Sequence, residues 1–153
     1  MNLFSIADAI AGQYTGITAT YGGDTQALEL CTALLPNTIT ASTGVILVFP
    51  PSSEDLEIGV SAIRQGHLIY LVRMLRDPVD VPTRTGWLYA WAAAMQDRVE
   101  QNLDLNLPTY VSEAEVTGFR LELEGHEYAQ QPYDVVEHEV TVTIYEQSVT
   151  VGA

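Results

Sequence analysis

The stretch that most restricts the fold is YDVVEHEVTVTIYE, residues 133–146. Val136, Val140, Val142 and Ile144 fall on one parity, interrupted by His138, while Glu137, Glu139, Thr141, Thr143 and Tyr145 fall on the other. A period of two belongs to an extended strand with one dry and one wet face, and no helix gathers these residues into a stripe. Upstream, EVTGFRLELEG has the same texture, with Phe119, Leu121 and Leu123 on one side and Arg120, Glu122 and Glu124 on the other. Joined by GHEYAQQP, the two segments predict a hairpin with an apolar side and a carboxylate side. If Leu121 lies across from His138 or Val140, then Glu122 and Glu124 lie beside Glu137 and Glu139.

The seven prolines cut the rest of the chain between apolar segments, as residues that fit neither ladders nor helix interiors should. NLFSIADAIAGQY spaces Leu3, Ile6, Ala7 and Ile10 at helical intervals, and Gly12 or Gly16 can end that helix. TGVILVF (43–49) reads as a buried strand, TALLPNTITAST before it as a possible short extended piece, and HLIYLVRML (67–75) as a central strand, apolar on both faces. Between the two strands, SSEDLEIGVSAIRQG (52–66) has neither period and is predicted to be a long loop. Its centre carries Ile58, Val60 and Ile63, side chains suited to meeting a partner. YGGD (21–24) is predicted to be a turn, and RDPVDVPTRTG a linker. WLYAWAAAMQDRVEQNL (87–103) is an amphipathic helix, with Trp87, Leu88, Trp91, Met95, Val99 and Leu103 along one stripe. The sum is one domain, 1–153, of the α+β class: a mostly antiparallel sheet of about four strands, with an N-terminal helix and a long helix packed on one face. The carboxylate side of the hairpin is then the uncovered one.

Charge narrows the function. The net charge of −14 speaks against binding to nucleic-acid phosphate or to anionic membranes, both of which need a basic footprint. Nine acids against Arg120 alone lie between residues 113 and 146, whereas Arg64, Arg73, Arg76, Arg84 and Arg98 crowd the middle, and lysine is absent. Such a split suits head-to-tail contact between copies. It nominates Arg64, Arg73, Arg76 and Arg84, together with Ile58, Val60 and Ile63, as ring or partner interface. No apolar run reaches the ~18 residues that would cross a membrane. The N-terminal MNLFSIADAIAGQ lacks the basic n-region of a secretory signal.

The candidate chemistry is thin. Neighbouring carboxylates at Glu122, Glu124, Glu137 and Glu139 are the kit for glycoside hydrolysis, but that reaction wants a concave, partly dry pocket, and a solvated acidic surface is favoured. His126, His138 and His67 lack the helical HExxH spacing, and His138 reads as a core histidine. The lone cysteine, Cys31, excludes an internal disulfide and reads as a small buried hydrophobe. No GxSxG and no phosphate-binding glycine loop occur. No catalytic residue, cofactor or metal is expected, and the chain reads as a non-enzyme.

The whole layout resembles the tail terminator (tail completion) proteins of long-tailed, siphovirus-type bacteriophages. The features that carry it are the short N-terminal helix, LP and then VILVFPP, the extended segment into HLIYLVRML, the long helix, and the last strand PYDVVEHEVTVTIYE with its "yDv…v.v.v" texture. The resemblance covers nearly all the chain. It implies a homo-oligomeric ring, usually a hexamer, on the head-proximal end of the tail tube. There it would stop tube polymerisation and dock the head-completion, or stopper, proteins of the neck. It also implies assembly in the host cytoplasm, residence at the tail–neck junction of the virion, and DNA passing through the ring without specific binding. Acidic walls suit such a passage, which makes Glu122, Glu124, Glu137 and Glu139 candidate lumen residues. A head-closure or adaptor protein of the neck is the alternative, and a small carboxylate-based hydrolase a remote one.

Overall fold

The computed structural model describes residues 3–58, 63–78, 81–101 and 111–145. The chain opens with α1 (Leu3–Tyr14), which buries Ile6, Ala7, Ile10, Ala11 and Tyr14 on one face. Gly16, at φ 82°, takes the left-handed position just past its end. There follows a hairpin of β1 (Thr18–Tyr21) and β2 (Asp24–Ala27). The turn read in YGGD is its tip: Gly22 and Gly23 have φ 62° and 87°, the pair of positive values that a tight two-residue turn requires.

The main sheet has six strands. They are β3 (Leu30–Thr32), β4 (Val45–Val48), β5 (Glu57–Ile58), β6 (Ile63–Arg76), β7 (Val111–Tyr128) and β8 (Gln131–Tyr145). The order is β3-β4-β6-β8-β7, with β5 also pairing β6; β3 and β4 run parallel and every other pair antiparallel. The α+β class and the antiparallel bias agree with the sequence expectation, whereas about four strands was too few. The extra ones are short pieces, β3 and β5, with too few residues to show a period, besides the separate β1–β2 hairpin.

Two boundaries differ for physical reasons. The 52–66 segment is not a plain loop. Ser52 exchanges backbone bonds with Ile69 at 2.8 and 3.0 Å, Glu57 pairs with Gln65, and β6 begins at Ile63 because Gln65 and Gly66 still pair with Tyr145 and Ile144 of β8. Gly66 permits this crossing: a Cβ there would lie 2.8 Å from the Leu56 Cα. The second difference is the long helix α2 (Val81–Gln101), which starts six residues before Trp87, inside the expected linker. Pro82 is harmless in a first turn, where the N–H would have no partner. Gly86 is required, since the Tyr21 ring occupies the place of its Cβ, 2.1 Å away, and meets Trp87 edge-on. Both residues look like helix breakers in the sequence.

Both helices cover one face of the sheet. Ile6, Ile10 and Tyr14 of α1 and Trp87, Leu88, Trp91 and Met95 of α2 join Ile46, Val48, Leu68, Tyr70, Val72, Met74, Val136, Val140, Val142 and Ile144 in one core. Trp91 is fully buried and its Nε1 donates to the Thr43 carbonyl at 3.0 Å. His138 lies in this layer, 2% exposed, sharing a 2.9 Å hydrogen bond through Nδ1 with the Tyr14 hydroxyl. Burial pushes its pKa down to about 4, so it is neutral near pH 7. Cys31 is half-buried, its thiol donating to the Ala11 carbonyl at 3.2 Å. Burial raises its pKa, more than the Thr15 hydrogen bond and Arg98 lower it.

Candidate interaction surface on the uncovered sheet face

The opposite face of the sheet changes character along its length. At the end nearest the β7–β8 turn it is dry. Val45, Leu47, Leu75, Tyr133 and Val135 lie buried with Ala41 from the β3–β4 connection. The Tyr128 hydroxyl donates to the Pro36 carbonyl and holds the hairpin tip against that connection. The tip itself is tight: Tyr128 pairs with Gln131, and Ala129 and Gln130 take φ 50° and 69° without glycine. GHEYAQQP is therefore mostly strand rather than loop.

In the middle of the face lies an ion triad. Arg73 Nε donates to Glu137 Oε1 at 2.7 Å, and Arg120 Nε donates to Oε2 at 3.3 Å. Burial works to raise the Glu137 pKa, but the hydrogen bonds from Arg73 and Arg120 overcome it and hold the carboxyl below its usual range. The Arg73 guanidinium lies 4.7 Å over the Phe49 ring, and Phe49 meets His126 edge-on. Burial, then Arg73 and Arg120, lower the His126 pKa. Arg120 also binds Glu122. Beyond the triad the face is hydroxylated and acidic. Thr117 and Thr141 share a 2.7 Å hydrogen bond, Glu139 lies beside them, and Glu113 and Glu115 are exposed.

The four nominated carboxylates thus differ. Leu121 pairs with Val136 rather than with His138 or Val140, which brings Arg120, not a second acid, opposite Glu137. The register shift between Glu122 and His126 produces this offset, and a further shift between Val116 and Gly118 follows it along the strand. Glu122 is neutralised by Arg120. Glu124 sits in the bulge between Glu122 and His126 at φ 52°, its carboxylate 3.7 Å from Arg84. Glu139 touches Thr117 only distantly, at 3.4 Å.

The nominated arginines are engaged inside the subunit. Besides Arg73, Arg84 lies 3.9 Å from Asp134, which is fully buried and accepts a 2.8 Å bond from the Glu124 N–H. Arg76 is buried, its guanidinium 5.2 Å over the Trp87 ring and Nη2 donating to Gln26 at 3.5 Å. Burial lowers its pKa, partly offset by Asp134 and Asp77. Arg98 Nη1 donates to the carbonyls of Gln13 and Thr15 at 3.0 Å each, closing the C-terminal end of α1. The side chains of Ile58, Ile63 and Arg64, and Val60 altogether, lie outside the described residues, as does Leu103.

Phe49 and the pairing role of Arg120 were not singled out from the sequence, and Asp134 only as part of the yDv texture. Asp134 had a signal, a carboxylate wedged between Tyr133 and Val135 in an otherwise apolar run; Arg120 had another, being the one cation among nine acids. Among the described residues, no three His, Cys, Asp or Glu side chains converge to hold a metal ion. His67 Nδ1 instead meets Asp55 at 2.6 Å, both side chains exposed. Hydrogen bonds from the His67 side chain and backbone lower the Asp55 pKa. Among the described residues no helix is long and apolar enough to cross a membrane. In comparisons with known proteins, no family model and no curated protein matches this chain.

Proposed function

We propose that this protein is a non-enzymatic assembly protein of the virion of a long-tailed bacteriophage. In this reading it forms a homo-oligomeric ring, a hexamer by resemblance, at the head-proximal end of the tail tube. The ring ends tube growth and offers a docking surface to the neck. The observation that carries the reading is the disposition of charge on the uncovered sheet face. Every described arginine side chain is bound within its own subunit, so the charge offered outward by the described residues is that of the remaining carboxylates, Glu113, Glu115 and Glu139 among them. A single-signed negative surface suits the wall of a passage for DNA, because it repels phosphate instead of retaining it. The element order, the acidic last hairpin and the buried Asp134 of the "yDv" segment fit the same reading.

The test is location. Gold-labelled antibody against this protein on purified particles should decorate one ring between tail and head, and particles made without it should carry tails of uncontrolled length. Label on the capsid shell or at the distal tip, or normal tails without the protein, would overturn the reading.

A further inference from the structure

Among the described residues, β3 and β7 are the two edges of the main sheet, with β4, β6 and β8 between them. The two edges are unlike, and each has what the other lacks. At the β7 edge, α2 packs on the sheet through Trp87, Leu88, Trp91 and Met95, and a groove of ≈ 520 Å³ remains between the helix and the edge strand. Ala92, Val116 and Phe119 line it, above Val136 and His138. Phe119 is 72% exposed, although Val116 and Leu121 on the same face of β7 pack against the core. No charged side chain among the described residues lines this groove. At the β3 edge the apolar side chains stand out from the surface. Leu30, Leu34 and Leu35 are all exposed, Leu34 by 69%. Residues 30–43, from β3 to the approach to β4, contain no charged side chain, on a chain with 20 acids.

We propose that the β3 edge of one copy, led by Leu34, docks on the α2–β7 groove of the next copy beside Phe119, so that copies join head to tail. The proposal rests on the ring reading and names the contact which that reading leaves open, since the described arginines are engaged within the subunit. Electrostatics select a second copy, and this part of it. Two copies of net charge −14 repel each other wherever their acids meet. Pairing the uncharged 30–43 stretch with the uncharged groove brings no like charges into contact. Two β7 edges meeting about a two-fold axis would instead set Glu113 and Glu115 against their own kind. Two β3 edges meeting would leave Phe119 and the groove uncovered. A contact between opposite edges is heterologous, and it repeats from copy to copy until the rotation closes a ring.

The test is native mass spectrometry of the full chain and of two variants, Leu34→Glu and Phe119→Glu. Each replaces an exposed side chain, so circular dichroism should be unchanged; Leu34→Ser and Phe119→Ser take their place if a glutamate variant misfolds. Each variant alone should lose affinity between copies by about tenfold or more and run as a monomer where the parent is an oligomer. Mixing decides the geometry. The Leu34→Glu copy keeps an intact groove and the Phe119→Glu copy an intact β3 edge, so equal amounts of the two should form a one-to-one dimer and nothing larger. The proposal is overturned if either variant keeps the parent oligomer, or if the mixture stays monomeric. A parent oligomer unmoved by both variants removes this contact and leaves the ring reading standing. A parent that grows into open fibres, lost in both variants, upholds the contact and removes the ring. A parent that is monomeric at every concentration overturns both.

Discussion

Glu137 and His138 are neighbours in β8 and face opposite sides of the sheet, and the two sides treat a polar group by different rules. On the helix-covered side, His138 is surrounded by apolar residues, has one hydrogen bond to Tyr14, and sheds its charge. On the uncovered side, Glu137 keeps its charge because Arg73 and Arg120 converge on it. A dry layer supplies no counter-ion and leaves His138 only 2% exposed, so neutralisation costs less than ionisation. A half-wet layer tolerates charge if donors are fixed in place. The alternating pattern of residues 133–146 therefore encodes two electrostatic regimes about one strand, and four measurements can break or sharpen that contrast.

The largest effect belongs to the dry side. Trp91→Ala should cost about 3–5 kcal/mol, through lost burial, the cavity left behind and the orphaned Thr43 carbonyl. Denaturant unfolding at pH 7 measures it, and a loss below ~1 kcal/mol would mean that α2 is not seated as described. Next comes acid. The unfolded chain binds a proton at His138 near pH 6.5, while the folded chain resists it until about 4. Stability should therefore be lost as pH falls below 6.5, with the His138 share complete below about 4. At ~1.4 kcal/mol per pH unit, that share is about 3 kcal/mol. His138→Gln should flatten the stability curve in this window. Glu137 acts lower down. Its folded pKa is depressed, so its stabilisation is present above its ordinary value of 4.5 and is lost as pH falls further. A variant curve as steep as the parent's between pH 6.5 and 4 would contradict the buried, neutral imidazole.

On the uncovered side the effects are smaller. Arg73→Ala removes a charged hydrogen bond and the cover over Phe49, and should cost about 1–3 kcal/mol. Combined with Glu137→Gln in a double-mutant cycle, the two changes should be clearly non-additive. Additivity would mean that the triad is only proximity. The smallest effect is at Glu139, whose only described side-chain contact is a 3.4 Å approach to Thr117. Glu139→Gln should change stability by less than about 0.5 kcal/mol, as is usual for a surface position.

The sequence carried the parts of the fold that repeat with a period. The valines of β8, the run that became β4 and the tryptophan stripe of α2 each declared their element and their buried side. Pieces whose residues were selected by a distant neighbour stayed hidden. Gly86 looks like a break until the Tyr21 ring is found against it, and Gly66 gives no hint that the chain at Leu56 crosses over it. The site was less legible than the fold for the same reason. Which acid meets Arg120 depends on the bulge in β7 between Glu122 and His126, and a one-residue slip there changes every partner. A sequence pattern separates the faces of a hairpin but does not align its two strands. The carboxylates read as a continuous acidic wall are for that reason a neutralised triad at one point and free acid at another.

The most direct test of the assembly reading is native mass spectrometry of the full chain across a range of salt. The arginines nominated from the sequence are, where their side chains are described, paired inside the subunit, so contacts between copies cannot lean on them. The expected result is a closed oligomer of several identical copies that persists as salt is raised, since apolar contacts are not screened. A monomer at every concentration and salt, or an oligomer that falls apart as soon as salt is added, would contradict it.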